Sequence, residues 1–157
     1  MAETAQDEVV AFLSRPEAYG LGVETVERRE TQISLVFLAG ERAYKLLRAV
    51  ELSFLDFTTL EARRRACEAG LALNRRMAPE IYLACQAVTR EADGGLALGG
   101  AGVAVEYLVV MRRFDDVCLF DKLLKAGELT PELCDRLAGE IHAFHEAEAP
   151  VTGGTLG

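Results

Sequence analysis

The chain has 157 residues, half of them apolar, with 25 acidic and 17 basic side chains for a net charge of −8. That length can bury one real core, as a domain or as a lobe of something larger. The negative balance argues against a nucleic-acid or anionic-membrane surface, since both need a positive field.

Neither a membrane-spanning apolar run nor a signal-peptide pattern is present, so a cytoplasmic protein with no membrane partner is expected. Cys67, Cys85, Cys118 and Cys134 show neither zinc-ligand nor disulfide-scaffold spacing. Each sits in an apolar neighbourhood, as a small hydrophobe would.

Thr4 and Asp7 make a capping pattern for a short helix with Val9, Val10, Phe12 and Leu13 on one face, ending near Arg15 and Pro16. Tyr19-Gly20-Leu21-Gly22 turns the chain, and Val23 to Arg29 is a weakly patterned strand. The stretch Thr31 to Lys45 then organises the fold. Leu35, Phe37 and Ala39 alternate with Val36 and Leu38, Gly40-Glu41-Arg42 makes a tight connection, and Ala43-Tyr44-Lys45-Leu46-Leu47 resumes an extended run. The result is a hairpin with one internal lysine. Burying that lysine is costly unless an anion meets it, and small Ala43 two positions earlier leaves room on the same face for a flat ring. The alternative is an edge strand whose lysine points to water.

Residues 49–57 read as a connection, after which Thr58-x-x-Glu61 forms a capping box for a long helix running to about Met77, before Pro79. Its expected inward stripe is Ala66, Gly70, Leu73 and Met77, with the arginines of 63–65 and 75–76 solvated. Ile81 to Arg90 is a strand, Glu91 to Gly95 a polar turn, Leu96 to Leu98 a return, and Val103 to Met111 the most apolar strand. Gly94-Gly95 and Gly99-Gly100-x-Gly102 read as hairpin turns, because no Gly-Lys-Ser/Thr follows. Arg112 to Asp116 is a connector and 117–126 a helix with Leu119, Leu123 and Leu124 inward, closed by Gly127. A second helix, 130–147, starts at the Thr130-Pro131 cap, carries the stripe Leu133, Leu137, Ile141 and Phe144, and ends before a glycine-rich 151–157. His142 and His145 permit metal ligation in principle but lack a third ligand, which favours packing or solvent. Glu106 and Asp115-Asp116 fit either contacts to a ribose or acceptor, or an ordinary polar rim.

These residues resemble a family. Ile33-Ser34, Ala43-Tyr44-Lys45, Leu55-Asp56-Phe57, Leu73-Asn74-Arg75-Arg76 with Ala78-Pro79, Ile81-Tyr82-Leu83 and Met111-Arg112-Arg113-Phe114 together are similar to the N-terminal part of bacterial aminoglycoside phosphotransferase-like proteins. Such proteins are often fused to a C-terminal P-loop ATP-binding domain. The resemblance covers nearly the whole chain. It implies an α+β protein-kinase-like small lobe over 1–111, a five-stranded antiparallel sheet with one long helix, then a hinge at 112–116 and the first helices of a larger helical lobe at 117–157. Its ligand would be ATP, with Ala43 against adenine, Lys45 on the phosphates, Met111, Arg112 and Phe114 at the hinge, and the hydroxyl of Ser34 or Thr31 in a phosphate cradle that lacks glycine.

Two departures bound that implication. The family's His-Gly-Asp loop, asparagine and metal-binding aspartate fall beyond the matching segment, so Mg²⁺ and a small-molecule hydroxyl acceptor belong to a lobe not in this chain. On that reading this chain alone lacks phosphoryl-transfer chemistry. On the long helix, Gly70 fills the place of the glutamate that holds the lysine, and Glu68 lies about 160° around the helix from it. The readings carried forward are the ATP-binding lobe of a small-molecule kinase, a degenerate binding or regulatory module of the same fold, and a structural domain unrelated to nucleotides. The apolar stripe of 130–147 needs a partner, through self-association or a further lobe.

Overall fold

The computed structural model describes residues 2–148, with side chains from Gln6 onward, and divides after Arg113 into two units. The glycine-rich 151–157 lies outside the described residues, as does the Thr4 side chain.

The first unit is α+β, with one antiparallel sheet between two helices. Strands β1 (Val26–Glu30), β2 (Ser34–Ala39), β3 (Arg42–Leu47), β6 (Tyr82–Arg90), β7 (Leu96–Leu98) and β8 (Val103–Arg112) pair in the order β1-β2-β3-β8-β6-β7. The sheet has six strands where five are expected. The short Leu96–Leu98 return pairs fully with Val88–Arg90 and forms an edge of its own. Residues 49–57 are not a plain connection either: Glu51–Leu52 (β4) and Leu55–Asp56 (β5) make a small separate hairpin. The first strand starts at Val26 rather than Val23, after two turn glycines with φ of 88° and 94°.

Two-residue alternation sends the side chains of each strand to opposite faces. Helix α1 (Ala2–Leu13) covers one face. Its Val9 and Leu13, one turn apart, are buried against Leu35, Phe37, Tyr44, Leu46, Val88, Leu108 and Val110. Helix α2 (Leu60–Asn74) covers part of the other, with Cys67 buried against Leu47 and Val109. The expected hairpin is present: β2 pairs with β3 in a register that sets Val36 opposite Lys45 and Leu38 opposite Ala43.

Helix α2 departs from its expected register. Thr59, not Thr58, is the N-cap, its hydroxyl accepting from the Ala62 amide at 3.1 Å, because Thr58 donates its hydroxyl to Asp56 at 2.6 Å. The helix ends at Asn74, and Leu73 and Met77 are 60% and 52% exposed. Arg63 instead turns inward. It is 7% exposed, pairs through Nε with Glu106 at 2.9 Å, and donates through Nη1 to the carbonyls of Phe57 and Thr58. An arginine is tolerated there because its donors meet fixed acceptors. Glu106 is thereby committed to structure rather than to a polar rim.

Near the start of the second unit the Asp115 carboxylate accepts from the Val117 amide ahead of a short 3₁₀ turn at Asp116–Cys118. Helix α3 (Phe120–Ala126) starts later than expected and closes on left-handed Gly127, φ 73°. Of its expected inward leucines only Leu123 is half-buried, whereas Leu119 and Leu124 are exposed. Helix α4 (Pro131–Ala147) has the expected Thr130 cap and proline at its first position. Leu133 and Phe144 are half-buried, Leu137 and Ile141 exposed, and His142 and His145 both exposed. Cys118 and Cys134 are exposed, unlike the small buried hydrophobes expected. No described helix is long and apolar enough to cross a membrane.

Candidate functional site

The α2 face of the sheet carries the sequence-derived candidates on β3. Leu47 belongs to the cluster under α2, so alternation puts Lys45 and Ala43 on that same face. Across the neighbouring ladder Ala43 stands opposite Met111 and Lys45 opposite Val109. On the other side the same two residues face Leu38 and Val36. A smooth apolar floor of Val36, Leu38, Ala43, Val109 and Met111 therefore surrounds one cation. Lys45 is half-buried, and among the described residues its ammonium group has neither a hydrogen bond nor an ion pair. No described carboxylate pairs with this lysine, in a chain whose net charge is −8.

Two thiols stand beside the floor, one from α2 and one from the sheet itself. Cys67 of α2 is fully buried and Cys85, opposite Val109 on β6, is half-buried. Neighbouring Cys85 and burial together hold the Cys67 thiol protonated well above the ordinary cysteine range, opposed by the nearby charge of Lys45. The Cys67 thiol donates to the Tyr107 carbonyl at 3.6 Å, and its proximity draws Cys85 the other way, to a lowered pKa. Neither thiol was marked by the sequence, where both read as core. Gly70, one turn beyond Cys67, has no heavy atom within 4 Å of the point where a Cβ would stand, outside its own helix and chain neighbours. Close packing on the sheet does not account for this glycine.

The other candidates fall elsewhere. Ser34 is 2% exposed, and its hydroxyl lies 2.8 Å from that of Thr31, while its amide donates to the Thr31 hydroxyl at 3.0 Å. Both hydroxyls expected in a phosphate cradle are thus engaged with each other, stitching the turn between β1 and β2. Arg112 is opposite Arg42, and alternation from Met111 directs it to the α1 face, away from Lys45. Phe114 is the first residue of the second unit and is 48% exposed. Of the six candidates the sheet brings together Ala43, Lys45 and Met111.

No family model matches the chain, and no solved structure matches it. It is similar to uncharacterized proteins of Mycobacterium bovis and of two strains of Mycobacterium tuberculosis, at 35% identity over 121 residues in each case. The matched segment is 77% of this chain and 22% of each relative, so the chain spans about a fifth of the length of the curated relatives it matches.

Proposed function

We propose that the first unit is the nucleotide-binding lobe of a small-molecule phosphotransferase with a protein-kinase-like small lobe, of the aminoglycoside phosphotransferase-like kind. The observation that carries the reading is a Lys45 without an ion-pair partner among the described residues, on the same sheet face as Ala43 and Met111. A cation set beside flat apolar side chains suits a ligand with a planar ring at one end and phosphates at the other. The strand order supports it too. In β1-β2-β3-β8-β6 the long helix intervenes in sequence between β3 and β6, the connectivity such a lobe uses.

The residues fit ATP in part. Ala43 and Met111 could bracket adenine and Lys45 could take a phosphate oxygen, while the turn at residues 31–33 offers main-chain groups only. Phosphoryl transfer would need carboxylates for Mg²⁺ and a residue to orient the acceptor hydroxyl, and those roles are assigned to no residue of this chain.

Titration with ATP tests the proposal. Saturable binding should be lost on Ala43→Trp, by overlap with the ring, and weakened about tenfold or more on Lys45→Met, by loss of a charge-assisted contact. Equal affinity in all three proteins sinks the reading.

One observation favours a second reading, a module of the same fold that binds nucleotide without catalysis. The helix offers Lys45 no carboxylate at position 70, and the α2 group whose titration the lysine influences is the protonated Cys67. On that reading ATP binds as above and no reaction follows when the chain is joined to a complete C-terminal lobe.

A further inference from the structure

On the α1 face, away from Lys45, a cleft of about 510 Å³ opens over strands β3 and β6, between β7 and the 3₁₀ turn Pro16–Tyr19. Its lining includes Phe12, Tyr19, Arg42, Tyr44 and Gln86. Tyr19 and Tyr44 form its aromatic wall, with ring centroids 4.7 Å apart and planes at 48°. The Tyr19 hydroxyl is used internally, donating to the Leu13 carbonyl at 2.6 Å. That of Tyr44 is not. Tyr44 is 5% exposed, yet among the described residues its hydroxyl has no partner, and no side-chain oxygen there is both sealed from solvent and unbonded. Its hydroxyl is therefore reached from the open space of the cleft. The Gln86 amide is likewise without a hydrogen-bond partner among the described residues.

Charge adds a direction. Arg42 has no carboxylate partner among the described residues, and its cross-strand neighbour is Arg112, also unpaired. Like charges directly opposite on adjacent strands repel, and this chain has acidic side chains in excess that could have relieved them. Among the described residues Glu17 is the single carboxylate on the lining, and it disfavours a ligand with more than one negative group. The volume lies within the range of small-molecule sites, and apolar walls with a few convergent polar groups are their usual composition.

We propose that this cleft binds a small planar organic monocarboxylate. Its ring lies against Phe12 and Tyr44, its carboxylate meets the Arg42 guanidinium in a bidentate pair, and the Tyr44 hydroxyl and Gln86 amide take its remaining polar atoms. The site is independent of any nucleotide on the opposite face.

The test is a titration of the full chain with benzoate, cinnamate and nicotinate, followed by amide chemical shifts. Saturable shifts are expected at Tyr19, Tyr44, Gln86 and residues 96–98. Arg42→Gln should weaken binding about tenfold or more, as removal of a charged hydrogen-bonding group does, and Tyr44→Phe, which keeps the ring, should weaken it several-fold. The neutral benzamide should bind as poorly to the wild type as benzoate does to Arg42→Gln. Lys45→Met should leave the titration unchanged, which separates this site from the nucleotide face. Absence of saturable shifts at these residues with every acid, or equal affinity in wild type and Arg42→Gln, overturns the proposal.

Discussion

Arg63 of α2 and Glu106 of β8 form a buried ion pair with Nε 2.9 Å from Oε1, the two side chains being 8% and 1% exposed. Gln6 of α1 completes it, donating to the same carboxylate at 3.0 Å and to the Leu47 carbonyl at 2.9 Å. Three elements distant in sequence are thus joined at one carboxylate. Removing one member of a buried pair leaves an uncompensated charge and costs about 3–5 kcal/mol, whereas replacing both by apolar groups is often neutral. Arg63→Met should therefore lower the denaturation midpoint steeply, and Arg63→Met with Glu106→Leu should recover most of the loss. A single-variant cost below about 1 kcal/mol would mean that the pair is solvated.

Tyr19 gives the fold a dependence on alkaline pH. Burial, and secondarily the neighbouring Tyr44, raise its phenol well above the ordinary tyrosine value. In the unfolded chain it titrates near 10, so the folded state holds the proton more tightly. The associated stability is fully present below about pH 10 and declines as pH rises above it. Denaturant midpoints measured from pH 8 to 11 should fall in the wild type and fall less in Tyr19→Phe. Parallel curves would assign the loss to other groups.

The paired thiols should differ in reactivity. Cys67 is buried and held as a thiol by neighbouring Cys85 and by burial, and the half-buried Cys85, lowered by neighbouring Cys67, has the greater thiolate character. With the exposed Cys118 and Cys134 replaced by serine, iodoacetamide should alkylate Cys85 well before Cys67, as peptide mass mapping would reveal. Equal rates would mean that the helix opens to expose both together.

What the sequence made legible was periodic. The β2–β3 hairpin, the long apolar β8, and the Thr130-Pro131 start of α4 follow from alternation and capping chemistry, signals contained within a few residues. The site was legible as far as alternation reaches: Ala43 and Lys45 share a face because they are two apart. What escaped notice depends on distant partners. Arg63 reads as a solvated charge until Glu106, 43 positions away, is brought to it. The Thr59 cap was hidden because Thr58 has an identical side chain and only the Asp56 contact decides between them. The resemblance sets Arg112 with Met111 at the hinge, whereas neighbours along a strand point to opposite faces.

Helix α2 provides the sharpest check on the nucleotide reading. Position 70 is vacant beyond the backbone, with no described atom within 4 Å of a Cβ outside its own helix and chain neighbours, so a longer side chain can be admitted without displacing one. Replacing a mid-helix glycine should also stabilise α2 by roughly 0.5–1 kcal/mol, from the difference in helix propensity. If α2 lies over the sheet with position 70 toward β3, Gly70→Glu supplies the carboxylate that Lys45 lacks and fixes its ammonium by a charge-assisted hydrogen bond. ATP affinity should then rise several-fold, and the gain should disappear when Lys45→Met is added, since the two changes act through one contact. Thermal unfolding separates the two effects. A protein with a higher melting temperature and unchanged ATP affinity would mean that position 70 stabilises the helix without reaching the lysine, and that Lys45 binds phosphate, if it does, without a carboxylate from α2.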